Sequence, residues 1–278
     1  MWQDAEQCGD GDPAVRIHPS ACVAPGAALG SGVRIGPFAV VEEGAELGDG
    51  VRVQAHAVVH GSATLGAGAV VGVHAVVGGD PQDLKFDARA ATRAVLGPGT
   101  VMREGATVHR STGEEPTRTG SDCLLMGGTH VGHDCVLGDG VVVSQCAALG
   151  GHVRVGDHAV IGGGSGLVQW VRVGRLAMVG GLTKVERDVL PFTVVDGVPA
   201  RQRGLNHVGM RRHGIPAAQQ NALRRHFDGF TGLADFTAPP PGMPDAGELV
   251  PELRAFLAGP SRRGTTPVVP RPRPARDA

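Results

Sequence analysis

Aliphatic residues recur at every sixth position along most of this chain. From Cys22 the sequence divides without a gap into CVAPGA, ALGSGV, RIGPFA, VVEEGA, ELGDGV, RVQAHA, VVHGSA, TLGAGA and VVGVHA. The second places read Val23, Leu29, Ile35, Val41, Leu47, Val53, Val59, Leu65 and Val71, and the sixth place is always Ala or Val. The frame breaks at GGDPQDLKFDARAAT, resumes near Leu96 with Met102 and Val108, and breaks again at RSTGEEPTRTGSD. From Leu124 it runs unbroken, with Leu125, Val131, Leu137, Val143, Leu149, Val155, Ile161, Leu167, Val173, Val179 and Val185 in second place. Six residues hold one short strand and a tight turn, with the aliphatic side chain pointing inward. Three such units close a triangular coil of 18 residues, and the coils stack as parallel strands about 4.8 Å apart. Gly and Asp supply the corner conformations. The expected fold class is therefore β, a parallel β-helix. A β-sandwich would need two-residue hairpin turns, which the strict hexad lacks.

The hexads stop after LPFTVVDGVPARQRG. MRRHGIPAAQQNALRRHFDGF and GELVPELRAFLAG have helical spacing, with the Pro-rich TAPPPGMPDA between them. The expected organisation is an N-terminal extension over 1–14, a β-helix over 15–197, a small C-terminal α-helical domain over 198–264, and a disordered Pro/Arg tail over 265–278.

Composition sharpens this picture. With 45 glycines and no tyrosine, the core must be built from small β-branched residues in narrow layers. A net charge of −1 speaks against nucleic acid as the main partner. The five cysteines lack CxxC spacing, which suits reduced thiols in a cytoplasm. The acidic N-terminus lacks the apolar core of a signal peptide, and no stretch reaches the length of a membrane span.

The chemistry concentrates in MGGTHVGHDCVLGDG, residues 126–140. At 18 residues per coil, Gly151 stacks over His133 and Gln169 over Gly151, with His152 offset by one from that column. His130, His133, Asp134, Gly151, His152 and Gln169 should then line one edge of the prism. A neutral imidazole at His133 can take a proton from a hydroxyl attacking an acyl carbonyl. Asp134 would fix its tautomer, and the Gly151 amide could donate to the tetrahedral oxyanion. No Ser or Cys pairs with His133 in the sequence, so direct transfer is favoured over a covalent acyl-enzyme. Taken singly, most of the twelve histidines read as solvated, and Asp83, Lys85 and Gln169 as ordinary loop or turn residues.

In order along the chain, IHPSACVAPGAALGSGVRIGPFAVV, PQDLK, VHRST, GSDCLLMGGTHVGHDC, GGHVRVGDHAVIGG, VQW, AMVGG and LPF resemble the acyl-ACP:UDP-N-acetylglucosamine O-acyltransferases of lipid A synthesis. The likeness spans about residues 15 to 265, including SRRGT near the end. It implies a left-handed β-helix and a cytoplasmic homotrimer with active sites in the clefts between neighbouring helices. It also implies transfer of a 3-hydroxyacyl group from acyl carrier protein to the sugar 3-hydroxyl of the UDP-sugar, with neither metal nor other cofactor. By motif, His133 matches the general base, Asp134 its partner and Gly151 the oxyanion amide. Asp83, Lys85, His130, His152 and Gln169 match positions around the sugar and diphosphate. Met178 and Gly181 fall where the acyl chain ends, and Asn206 and Arg212 match nucleotide contacts.

The chain departs from the family pattern at Val168 (a histidine there), Val208 (an acidic residue), His213 (an arginine), and Gln145 and Cys146 (asparagines). Acylation of a different sugar nucleotide is the enzyme alternative. A zinc protein resembling the γ-type carbonic anhydrases, using His130 and His133, and a non-catalytic homologue are the others.

Overall fold

Each hexad folds as two extended residues followed by a four-residue corner, as in Val40–Val41, Glu46–Leu47 and Arg52–Val53. The first strand residue faces outward and the second inward, because side chains alternate along a strand. Ile35, Val41, Leu47, Val53, Val59, Leu65 and Val71 are accordingly all buried, as are Ala39, Ala45, Ala57 and Ala69 at the sixth place. Val23 and Leu29 are half-buried, since they lie at the open end of the prism. The computed structural model describes residues 14–228, 247 and 249–266.

The chain winds a parallel β-solenoid of about 10 turns. Among the described residues its three faces are sheets of 11, 9 and 8 strands. The first contains Arg34–Ile35, the second Val40–Val41 and the third Glu46–Leu47. Register follows the coil length: Arg34 pairs with Arg52 and Val142 with Val160. At the two breaks the pairing jumps, from Val70 to Val101 and from Val101 to Leu124. The breaks are insertions, residues 80–93 and 110–116. Both leave a strand of the second sheet and rejoin at one of the third, so they emerge at the same edge.

The fifth place of most hexads takes the left-handed conformation. Glycine fills it at Gly50 and Gly68, but Phe38, His56, Asp134 (φ 59), His152 (φ 61) and Trp170 (φ 71) also adopt it. That costs an L-residue about 1–2 kcal/mol. The inter-coil bonds offset the cost, and large side chains at these corners can stack from coil to coil.

Thr193–Asp196 continues the first sheet, and Arg201–Leu205 pairs with it antiparallel. The sheet thus runs past residue 197, where the sequence places the end of the β-helix. Among the described residues three helices follow: α1 (His207–Arg212), α2 (Ala217–Asp228) and α3 (Leu249–Ala258). The helical spacing read over 210–230 is broken at Gly214 to Pro216. A second core, with Leu176, Leu190, Phe192, Met210, Leu223 and Leu253, joins the helices to the last coils. Arg175 Nη2 bonds Glu252 Oε2 at 2.7 Å across that seam. The chain then returns to the prism, where Asp188 N donates to Gly264 O and Thr266 N to Asp188 O, both at 2.8 Å. Thr265 and Thr266, assigned to the tail by sequence, are therefore pinned to the prism. The rest of that tail, residues 1–13 and the Pro-rich connector lie outside the described residues.

Leu125 is fully buried in the prism. Leu125→Ala should lower the unfolding free energy by about 2–5 kcal/mol, read by urea denaturation. A loss below about 1 kcal/mol would mean that the coils collapse around the void.

Candidate active site

His133 and Asp134 occupy the fourth and fifth places of hexad 130–135, at the edge between the second and third sheets. His133 is buried, and its Nδ1 lies 2.6 Å from Asp134 Oδ2. A carboxylate only accepts, so Nδ1 carries the hydrogen, and the lone pair of the neutral imidazole is then at Nε2. The second insertion holds the carboxylate: Thr112 N donates to Oδ1 at 3.0 Å and Thr112 Oγ1 to Oδ2 at 2.7 Å. Thr117 Oγ1 accepts from Asp134 N at 2.7 Å. Burial alone would raise the Asp134 pKa. The hydrogen bonds from His133 and Thr112 outweigh it and hold the carboxyl below its ordinary value.

Gly151 sits directly over His133, and a Cβ added there would overlap the imidazole. Its φ is not among the positive ones, so the glycine is required for room. Fourth-place amides stand outside the ladder. Ser31 N and Ser121 N donate instead to Asp49 Oδ1 and Asp139 Oδ1 one coil further on. Among the described residues no such acceptor meets the Gly151 N–H, which leaves a donor beside the His133 ring.

The fifth-place column is Asp134, His152, Trp170. His152 N donates to His133 O at 2.9 Å, and its Nε2 lies 3.6 Å from Asp134 Oδ2. Its ring stands edge-on to His133 and flat on Trp170, and the Arg262 guanidinium covers the indole. Burial lowers the His152 pKa. Asp134 opposes this, while His133, Arg262 and Arg154 add to the lowering. His130 projects from the second sheet, with Nδ1 3.0 Å from Thr107 Oγ1 and its ring tilted against His109. Its pKa is lowered by burial, then by His109 and His133.

Asp83 and Lys85 lie exposed on the first insertion, where Lys85 N donates to Asp83 Oδ1 at 3.0 Å. Arg110 ties that loop down, bonding Asp80 Oδ1, Ala90 O and Ala88 O. Gln169 is exposed, and its carbonyl accepts from Arg263 Nε at 2.9 Å. Val168 packs against the prism core. The remaining sites are not brought to this corner within one chain. Met178 is on the first sheet, and Gly181 is at the corner between the first and second. Asn206 caps α1: its Oδ1 accepts from Gly209 N and its Nδ2 donates to Leu176 O, both at 2.9 Å. Arg212 is exposed in the last turn of α1.

Sequence reading missed Thr112, Thr117, Trp170 and Arg262. Trp170 stands 18 residues after His152, so the fifth-place column could have revealed it. Thr112 lies in an insertion and Arg262 beyond the repeats, where no periodicity points to them. His133, Asp134 and His152 also bring potential ligand atoms within 4.8 Å of one another. His130, used in the zinc alternative, is not in that trio. Asp134 Oδ2 already accepts from His133 and Thr112, so the trio is built as a hydrogen-bonded pair with a neighbour.

Asp134 titrates below its unfolded value, so it adds stability above about pH 4. That stability is lost as pH falls through the lowered folded value. Thr112→Val removes one donor, and the Asp134 pKa should rise towards the ordinary carboxylate value, as followed by carboxyl NMR. The variant should be less stable than wild type at pH 7, and the difference should vanish in acid. A difference that grew on acidification would contradict this account.

A family model described as hexapeptide repeat of succinyl-transferase matches residues 116–145, and one described as UDP N-acetylglucosamine O-acyltransferase, domain 2, matches residues 188–233. The acyl-[acyl-carrier-protein]–UDP-N-acetylglucosamine O-acyltransferase of Gloeothece citriformis is 40% identical over 151 residues, 54% of each chain. The chain thus spans about half the length of that relative. The enzyme of the same name from Paracoccus denitrificans is 41% identical over 187 residues, 66% of this chain and 71% of the relative. The structure of the UDP-N-acetylglucosamine acyltransferase from Campylobacter jejuni superposes with a TM-score of 0.81 at 31% identity, covering 92% of this chain and 100% of that one. With the same solenoid, the same repeats and identity at this level, the chain belongs to the acyl-ACP–UDP-N-acetylglucosamine O-acyltransferase family.

Proposed function

We propose that this protein transfers a 3-hydroxyacyl group from acyl carrier protein to the 3-hydroxyl of UDP-N-acetylglucosamine, the first step of lipid A type synthesis. The observation that carries the reading is the pairing of a base and an oxyanion donor: His133, with Nδ1 committed to Asp134 at 2.6 Å, lies under the spare Gly151 N–H. The Nε2 lone pair takes the proton of the sugar hydroxyl as its oxygen attacks the thioester carbonyl. The Gly151 N–H donates to the oxyanion of the tetrahedral intermediate. Collapse expels the thiolate of the carrier, which recovers the proton from the imidazolium. Asp134 stabilises that cation. Cys135, the thiol next in sequence, is no nucleophile: its Sγ donates to Gly150 O, and burial pushes its pKa up to about 12.

The outward faces support a homotrimer. On the first sheet Val101, Leu124, Val142, Val160 and Met178 form a half-buried aliphatic stripe that faces out of the prism. On the third sheet the same place is charged or polar at Glu46, Thr64, Arg118, Arg154 and Arg172, with Ala28, Val95 and Val136 among them. One flank is thus fitted to another protein surface and one to water. Cyclic packing of three copies makes three equivalent clefts, and a neighbour could carry Asp83, Lys85, Met178, Asn206 or Arg212 towards a foreign His133. A cytoplasmic setting fits the four described cysteines, all free thiols. No described helix is long and apolar enough to cross a membrane.

A different sugar nucleotide as acceptor is the second reading. Val168 favours it, because a valine offers no hydrogen bond where the family pattern has a histidine.

His133→Ala should lower turnover at least about a hundredfold while the assembly stays intact. Mass spectrometry of products from acyl carrier protein and a panel of UDP-sugars reads both activity and acceptor. A variant retaining a tenth of wild-type turnover would remove His133 from the base role.

Val142→Arg should convert the trimer to monomer by sedimentation, since it buries a charge in the apolar stripe. A trimer unaffected by that change would place the interface elsewhere.

A further inference from the structure

Of His133, Asp134 and His152, the last is the most exposed. Its side chain is 26% exposed, and its Nε2 stands 3.6 Å from Asp134 Oδ2, beyond a close hydrogen bond. What holds its plane is Trp170. The rings are parallel within 6° at 3.7 Å, a fully overlapped stack that fixes the height and tilt of the imidazole. Trp170 is held on its other face by Arg262, whose guanidinium carbon lies 3.6 Å from the ring centre, within cation–π range.

Arg262 comes from beyond the last helix, α3, and is anchored on both sides. Arg263 Nε donates to Gln169 O at 2.9 Å, and Gly264 N to Ser261 Oγ at 2.9 Å. Thr266 Oγ1 donates to Arg187 O at 3.1 Å. The carboxylate at the root of this segment, Asp188, is fully buried and pairs with Arg172 Nε at 2.7 Å. Residues 261–266 are thus fastened along the edge that carries the base.

The geometry points to Trp170 and Arg262 as positioning residues: together they press His152 into the orientation in which its Nε2 faces Asp134 and its ring walls His133. The returning C-terminal segment becomes a working part of the corner, although it touches neither the base nor its carboxylate. This inference rests on the reading of His133 as base.

The sequence contains two tryptophans, Trp2 and Trp170, so Trp2→Phe leaves Trp170 as the sole indole emitter. In that background His152→Ala should brighten the emission by removing an adjacent imidazole. Arg262→Ala should shift it to the red and raise acrylamide quenching about twofold, as the outer face opens to water. In the full chain, Arg262→Ala and Trp170→Ala should each lower kcat about tenfold with KM for UDP-N-acetylglucosamine within about twofold, the signature of a misplaced group rather than lost binding. Trp170→Phe, which keeps a flat ring, should recover to within about threefold of wild type. Wild-type kcat in Trp170→Ala, or an effect on KM alone, overturns the positioning role. Unchanged emission in both His152→Ala and Arg262→Ala shows that the stack is not formed in solution, and overturns it too. The emission changes do not depend on which reaction the corner performs. A wild type inert with every UDP-sugar, but with the expected emission changes, would count against the acyltransferase reading and not against the stack.

Discussion

Between successive coils, backbone N–H groups bond to carbonyls one turn away along the chain. Val142 N reaches Ala159 O at 3.0 Å, and Ser144 N reaches Ile161 O at 2.8 Å. The rest of the molecule depends on this parallel ladder. It satisfies the backbone of a chain with few helices, and it sets the register in whole turns. A slip of one residue would turn the inward aliphatics to solvent, so the hexad and the ladder enforce one another. Side chains at one place of the hexad then stand in columns whatever their chemistry. His56 stacks on His74 with ring centroids 4.8 Å apart, and His152 on Trp170 at 3.7 Å.

The candidate site uses this rigidity and the points where it is interrupted. His133, Gly151 and the fifth-place column are placed by the coil itself, on strands and corners that cannot drift. The partners that tune them come from outside the repeat. Thr112, on one insertion, grips Asp134, and Arg110 anchors the other insertion, which carries Asp83 and Lys85. Both insertions emerge at the edge that bears the base, so variable loops surround a fixed centre. Arg262 completes the ring from the opposite end of the chain.

Packing and charge are balanced at that centre. Asp134 is a half-buried carboxylate that stays ionised because three hydrogen bonds reach it. Its negative charge stabilises the imidazolium that proton transfer would create at His133. Burial lowers the pKa of His130 and His152, which limits competing positive charge beside the base. Gly151 supplies the space for the ring: a methyl group there would occupy the position of the imidazole.

The sequence by itself determined the solenoid, because the position of every inward aliphatic repeats with the coil and no other fold needs that period. It also determined the stacking of Gly151 over His133, since a fixed rise makes residue number a coordinate. It did not determine how the first strand residues divide the faces into an apolar flank and a charged one until the strands were sorted into sheets. The grip of Thr112 on Asp134, the use of Asn206 as a helix cap and the arrival of Arg262 over Trp170 were decided only by tertiary structure. Those contacts join segments outside the repeat, where spacing along the chain carries no information about distance in space.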